Sequence, residues 1–141
     1  MAVELRRLGR AIKQIQDRHH RELDARLATI GTTLVQWDAL RVINRNPGAS
    51  AHALAVATFQ SDQAFGTLAN RLVAQGLIDR RPGHGRRIEH HLTESGSKTL
   101  TAGRPLMNEV LAASFAPLSE KERVTLLELL TRIASDTDPA H

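Results

Sequence analysis

The stretch from Ser61 to Thr93 reads SDQAFGTLANRLVAQGLIDRRPGHGRRIEHHLT, and it constrains the fold more than any other part of the chain. Three pieces follow one another there without a linker: a capped helix, a strand, and a second strand across a glycine-rich arginine turn. Ser61 stands where its hydroxyl can accept a backbone N–H, and Asp62 puts negative charge at the positive end of the helix. Phe65, Leu68, Ala69, Leu72 and Val73 have the spacing of one buried helical face. Gly76 supplies the left-handed residue that stops the helix, and Leu77 can fold back on Leu72. The opposite face carries Gln63, Gly66, Thr67, Asn70 and Arg71, short polar groups and one arginine that suit base edges and phosphates. An ordinary solvated face would look the same.

The segment after the helix favours the nucleic-acid reading. Leu77 to Arg81 is a short strand, and Pro82-Gly83-His84-Gly85 breaks it and turns the chain. Ile88, His90 and Leu92 alternate with Arg87, Glu89 and His91, the period of a half-buried strand. Arg80, Arg81, Arg86 and Arg87 therefore gather around one hairpin. An arginine on a protruding tip can enter a narrow minor groove, where the negative potential is enhanced. A hairpin with a merely soluble, charged tip is the alternative. The helix and hairpin together predict DNA contacts from Ser61, Gln63, Thr67, Asn70 and Arg71 on the helix and from His84, Arg86 and Arg87 on the wing.

At 141 residues the chain has room for one domain with a real core. Aromatic residues make up only 3 %, which argues against a reader that stacks single-stranded bases on aromatic platforms. The net charge of +4 is compatible with a polyanionic partner. There is no cysteine, so a disulfide scaffold, a thiolate zinc site and a cysteine redox switch are excluded. No apolar run reaches the roughly 18 residues of a membrane span, and the N-terminal stretch has no signal-peptide core. A cytoplasmic protein with no membrane partner is expected.

Residues 3 to about 28 predict one long helix. Val3, Leu5, Leu8, Ile12, Ile15, Leu23 and Leu27 recur at three- and four-residue steps, with His19 on the same stripe. Arg6, Arg7, Arg10, Lys13, Arg18, Arg21 and Arg26 make the other faces basic. A narrow apolar seam on a long first helix has little of its own domain to pack on, so it predicts pairing with a second chain. Packing across its own domain is the alternative. Thr33 and Gln36 have capping-box spacing for a helix to about Arg45, with Leu34, Trp37, Leu40 and Ile43 inward. Trp37 reads as core or as the lining of a ligand cavity. Asn46-Pro47-Gly48 stops that helix. Ser50 caps a short one from His52 to about Thr58, anchored by Leu54 and Val56, and Phe59-Gln60 links it tightly to Ser61. That is the spacing of a helix-turn-helix. Thr93 caps a segment running to about Ala116, which Pro105 should kink or split. Ser119 and Glu122 form another capping box before a last helix marked by Val124, Leu127, Leu130 and Ile133, and Asp136 to His141 reads as frayed.

The order of parts and several fragments together resemble the multiple-antibiotic-resistance regulator (MarR) family of winged-helix repressors. The fragments are Leu34-Val35-Gln36-Trp37-Asp38-Ala39-Leu40, Asn46-Pro47-Gly48, Leu68, Arg71-Leu72 and Gly76-Leu77-Ile78-Asp79-Arg80-Arg81. Arg86, Leu92-Thr93-Glu94-Ser95-Gly96 and Leu118-Ser119-Glu120-Lys121-Glu122 complete them, so the likeness covers nearly the whole chain. It implies a mainly α fold with a small β-hairpin wing, a winged helix-turn-helix lobe at about 33–93, and a helical dimerisation region at about 1–30 and 94–136. It implies a homodimer with recognition helices in successive major grooves of a pseudo-palindrome and wing arginines in the flanking minor grooves. It also implies a small aromatic or phenolic effector between the dimer region and the lobe, for which Arg10, His19 and Trp37 are the candidates. The chain departs from the family pattern twice. His84-Gly85-Arg86 stands where the wing usually has Asp-x-Arg, and Gln63, Ala64 and Thr67 replace the usual serine, threonine and arginine of the recognition helix.

Seven histidines raise a metal-responsive alternative, but His19-His20 and His90-His91 are adjacent pairs and lack the spacing that puts two imidazoles on one helical face. No metal site and no cofactor is therefore assigned. There is no phosphate loop, nucleophile elbow or close carboxylate pair, so no catalytic residue is assigned and an enzyme is not expected. The expected function is a ligand-responsive, sequence-specific repressor on double-stranded DNA. The alternative is a weakly specific architectural DNA-binding protein without an effector.

Overall fold

The computed structural model describes residues 2–135, so the frayed end expected from Asp136 onward lies outside the described residues. The elements run α1 (Leu5–Ala28), α2 (Leu34–Arg45), α3 (Ala51–Ala57), α4 (Asp62–Ala74), β1 (Ile78–Pro82), β2 (Ile88–Leu92), α5 (Glu94–Phe115) and α6 (Glu120–Ser135). This is the expected mainly α chain with one hairpin. The strands are antiparallel, with Ile78 opposite Leu92, Arg80 opposite His90 and Pro82 opposite Ile88.

Local chemistry sets the helix starts. The hydroxyls of Thr33, Ser50, Ser61, Thr93 and Ser119 each accept the N–H three residues on, from Gln36, Ala53, Ala64, Gly96 and Glu122. Each serves one of the donors that a helix start leaves without a partner. Glu122 returns the bond by accepting the Ser119 N–H at 2.9 Å, which completes a capping box. Gln36 does not. Its side-chain oxygen accepts the buried Thr32 hydroxyl instead, and the next orphan N–H, that of Leu34, is served by Asp24 of α1 at 2.6 Å. The α2 start is thus pinned to α1 by a carboxylate that cap spacing does not reveal.

The core is built around α2, which packs between α1, α5 and the hairpin. Trp37, Leu40 and Ile43 from α2 meet Leu54, Phe65, Leu72 and Leu100. Trp37 is buried, and its indole N–H donates to the Leu100 carbonyl at 3.2 Å. The ring lies so close to Gly103 that α5 has no room for a side chain there.

Several expected details differ. Val3 lies ahead of α1, and only Leu23 and Leu27 of that helix are buried. In α3 the buried pair is Leu54 and Ala55, while Val56 turns outward, because a seven-residue helix presents one narrow face. In α4 Val73 is exposed as well. α5 is not split at Pro105. The proline is exposed, as is Thr101, whose carbonyl loses its partner, so water can serve that group and the helix continues. Phe59, in the turn between α3 and α4, has φ of +59° and is 96 % exposed, an unusual load for a bulky residue.

Two α5 glycines are steric requirements. A β-carbon at Gly103 would collide with the Trp37 ring, and one at Gly96 would collide with the Leu77 carbonyl. Gly103→Ala and Gly96→Ala are each expected to lower unfolding free energy by about 1–3 kcal/mol, the usual cost of overpacking. Urea melts of the two variants check this, and a wild-type midpoint for either would contradict the packing described.

Candidate nucleic-acid interface

The α4 helix is held by its ends and its inner face. Ser61 caps the start. At the other end the Gly76 N–H donates to Val73 at 2.9 Å and the Leu77 N–H to Leu72 at 2.9 Å, with Gly76 at φ +75°. That pair of bonds is a Schellman stop. Phe65, Leu68, Ala69 and Leu72 face the core, so Gln63, Thr67, Asn70 and Arg71 are left together on the exposed side, next to Ser61. The Thr67 hydroxyl donates to the Gln63 carbonyl at 3.2 Å and keeps its lone pairs free. The side chains of Gln63, Asn70 and Arg71 make no hydrogen bond or ion pair among the described residues. His52 on α3 and Asp62 on α4 join the two helices at 2.9 Å.

The hairpin tip is closed by the Gly83 N–H on the Arg87 carbonyl at 2.8 Å and the Arg87 N–H on the His84 carbonyl at 3.2 Å. Gly85 takes φ +64°, a left-handed geometry that glycine adopts without strain. Pro82 was expected to break β1 and instead ends it, opposite Ile88. Its missing N–H costs nothing on an edge position. Ile88 was expected on the inner face with His90 and Leu92. It keeps that phase but sits beyond the core, 47 % exposed. His84 and Arg86 stand at the tip, exposed, and their side chains make no hydrogen bond or ion pair among the described residues. Arg81 reaches Asp79 at 3.5 Å. Arg87 turns back, and its guanidinium donates to the Gly48 carbonyl at 3.1 Å.

The wing base is more ordered than the sequence suggests. His90 is 2 % exposed, packs edge-on against Phe65, and bonds the Ala49 carbonyl through Nδ1 at 3.1 Å. A carbonyl can only accept, so Nδ1 carries the proton. Burial pushes the His90 pKa down, and the neighbouring charges of Arg80 and His91 act in the same direction against the bond to Ala49. On the other hairpin face Glu89 accepts from His91 Nε2 at 3.0 Å. That bond, with the charges of His91, Arg87 and His84, holds the Glu89 carboxyl below its usual range against a smaller opposing effect of burial.

The three effector candidates do not meet. Trp37 is committed to the core, as described. Arg10 lies on another face of α1 beside Lys13, Gln14, Asp17 and Arg21. Only His19 lines a groove, of about 780 Å³, between α1, α5 and α6. Leu8, Ile12, Ile15, Phe115, Leu118 and Leu130 form its apolar walls. Sequence reasoning missed the polar part of that wall. Ser114 accepts from Arg18 at 2.8 Å and lies 2.6 Å from His19 Nε2, while His19 meets Phe115 edge-on. The partners lie 95 and 96 residues apart, so no spacing rule finds them. Among the described residues no group of three or more histidine, aspartate or glutamate side chains could hold a metal ion, and no helix is long and apolar enough to cross a membrane.

Residues 30–88 match the model of the MarR family. A curated Thauera aromatica protein named for transcriptional regulation of the hcr operon is 36 % identical over 107 residues, 74 % of this chain. The chain spans 64 % of that relative's length. Among solved structures, a mutant MarR from E. coli complexed with operator DNA aligns with a TM-score of 0.84 at 22 % identity, over 89 % of this chain and 92 % of that one. A Pseudomonas aeruginosa protein named as a transcriptional regulator aligns at 0.80 and 28 %, over 89 % and 95 %. A Mycobacterium tuberculosis MarR family protein in complex with salicylic acid aligns at 0.72 and 23 %, over 89 % and 95 %.

The buried His90 gives the lobe a pH dependence of definite sign. Above the ordinary imidazole value of 6.5 both folded and unfolded chains are neutral at this site. Below it the unfolded chain takes up the proton first, so stability falls as pH drops towards the depressed folded value. Unfolding free energy measured across that range is expected to decline on acidification, with a shallower decline in His90→Gln. Equal slopes in the two proteins would contradict this origin.

Proposed function

Because this chain belongs to the MarR family, we propose that it is a homodimeric transcription regulator that binds a specific pseudo-palindrome in double-stranded DNA. The observation that carries the reading is a capped helix whose outer polar side chains have no partners, set beside a hairpin whose tip arginine is equally free. Gln63, Thr67, Asn70 and Arg71 serve the major groove and its phosphates, while Arg86 and His84 serve the flanking minor groove. Groups left unpaired in the free protein give up water but no intramolecular partner when they meet DNA, and the relative bound to operator DNA supports the same docking.

Dimerisation is supported by what the single chain leaves uncovered. α6 buries none of its residues, although Val124, Leu127, Leu129, Leu130 and Ile133 are apolar. Leu5, Leu8, Ile12 and Ile15 of α1 are exposed too. Two helices at opposite ends of a chain with this much open apolar surface call for a second copy. For the effector, the relative bound to salicylic acid supports a small aromatic acid. Arg18, His19 and Ser114 offer a cation and hydrogen-bond donors beside the Phe115 ring, the pairing a carboxylate on an aromatic ring requires. Such a ligand represses or releases by shifting the spacing of the two recognition helices relative to one DNA turn of about 34–36 Å.

Selection from a random duplex pool at physiological salt tests the reading. Enrichment of a pseudo-palindrome with half-sites one turn apart is expected. Binding without an enriched motif would favour a weakly specific architectural protein. On the selected site, Arg86→Ala is expected to cost about 1–3 kcal/mol and to make the salt dependence shallower. Leu127→Glu combined with Leu130→Glu is expected to yield monomers in sedimentation runs at micromolar concentration, and an unchanged dimer would remove α6 from the interface.

A further inference from the structure

The two adjacent wing arginines, Arg86 and Arg87, differ in what they touch. Arg86 is exposed at the tip with no partner, whereas Arg87 donates to the Gly48 carbonyl. Gly48 belongs to the turn that joins α2 to α3. The same turn is paired to β2 by its backbone: the Gly48 N–H donates to the His90 carbonyl at 3.1 Å, and the His90 N–H donates to the Ala49 carbonyl at 3.2 Å. His90 Nδ1 adds a further bond to Ala49. The Glu89 side chain fills the space between the two turns. A β-carbon at Gly48 would come within 3.3 Å of its Oε1, and one at Gly83, in the wing turn, within 2.9 Å of its Cγ and Oε2. Arg87 and His90 therefore bond Gly48 and Ala49, Glu89 lies beside Gly48, and the next residue, Ser50, caps α3.

We propose that Arg87 and Glu89 are positioning residues that fasten the wing to the α2–α3 turn, so that turn, α3 and wing move as one body and Arg86 alone of the arginine pair contacts DNA. This deepens the reading of the chain as a DNA-binding regulator and rests on it. The physical argument is one of stiffness. A two-stranded hairpin on its own is marginal and would let its tip wander. Bonds from β2 to a turn that itself caps a helix remove that freedom before DNA arrives, so the ordering cost is not charged to binding. An arginine already engaged by a backbone carbonyl has less to give a phosphate than one that is free. Glu89 lies among Arg87, His84 and His91, so the carboxylate that steadies the wing stands on β2 just below the turn, and the charged side chains of the turn itself are basic.

Three variants test this: Arg86→Ala, Arg87→Ala and Glu89→Gln. In the DNA-free protein, amide hydrogen exchange at Gly48 and His90 should quicken in Arg87→Ala and Glu89→Gln and stay at the wild-type rate in Arg86→Ala. On the selected duplex, Arg86→Ala should reduce the slope of log affinity against log salt by about 0.9, the release of one phosphate's counterion. Arg87→Ala should weaken specific binding on the order of tenfold with the slope unchanged. Hydroxyl-radical footprints should show that Arg87→Ala loses protection flanking the half-sites while the central protection persists, which a general loss of folded protein would not do. Unchanged exchange at Gly48 and His90 in Arg87→Ala, or a salt slope that falls as it does in Arg86→Ala, overturns the proposal. If the wild type selects no DNA, the regulator reading fails, and the exchange rates still decide whether the fastening exists.

Discussion

Four elements hang from the junction at Gly76 and Leu77. Gly76 ends α4 in a left-handed turn, and Leu77 starts the run into β1. The Thr93 hydroxyl donates to the Gly76 carbonyl at 2.6 Å while accepting the Gly96 N–H at 3.0 Å, and the Thr93 N–H donates to the Leu77 carbonyl at 3.1 Å. One threonine thus closes the hairpin, caps α5 and fixes where the recognition helix stops. The fit is tight because the Leu77 carbonyl lies directly against Gly96. Recognition helix, wing and long helix cannot be re-aimed separately without breaking bonds in this cluster. In the proposed DNA-binding role, this rigid support would aim the unpaired side chains of α4.

The support has a second attachment on the far side of the hairpin, where β2 meets Gly48 and Ala49. Between the two attachments His90 is buried against Phe65, so the wing base is core in every physical sense. This places a polar residue where an apolar one would be the default. It is tolerated because Nδ1 finds the Ala49 carbonyl, while burial lowers the pKa of the ring. The other hairpin face solves its own problem by alternation of charge. Arg81 lies opposite Glu89 and Asp79 opposite His91, so each cross-strand pair joins unlike groups.

What was legible in the sequence follows from how local the cause is. All five cap hydroxyls and the Gly76 stop could be read, because a cap acts over three residues and a stop over five. The phase of β2 could be read from period-2 alternation, and its polar outer face came with it. The misreadings share another cause. Val56, Val73 and Ile88 are apolar residues at the edge of a face, where periodicity cannot say whether a neighbour arrives to cover them. Leu34 and Arg87 found partners that depend on tertiary approach, Asp24 of α1 in one case and Gly48 in the other. Arg10, His19 and Trp37 were grouped as a cleft and are separated, since helix phase alone does not say which element packs on which face. The Arg18–His19–Ser114 cluster joins distant segments and left no trace in the sequence.

The placement of α5 gives the proposed effector control a physical route. Its first turn is locked into the junction by Thr93 and Gly96, and its last turn carries Ser114 and Phe115 into the groove with His19. At 22 residues it spans about 33 Å, so one helix connects the two places that a ligand and an operator would occupy. Its middle is anchored to α2 where Trp37 lies on Gly103 and bonds Leu100. Pro105 stands just beyond that anchor, on the groove side of it, and removes one helical hydrogen bond there. Between Pro105 and Ser114 the helix is held as well: Leu106 and Met107 pack against the core, Val110 is buried, and Glu109 pairs with Arg26 of α1. Ser114 and Phe115 are therefore coupled both to α1 and to the core behind Trp37, and in the proposed control a ligand in the groove would act on α5 as a whole. Control of this kind needs no distortion of the recognition helix. It needs only that two rigid lobes be re-spaced.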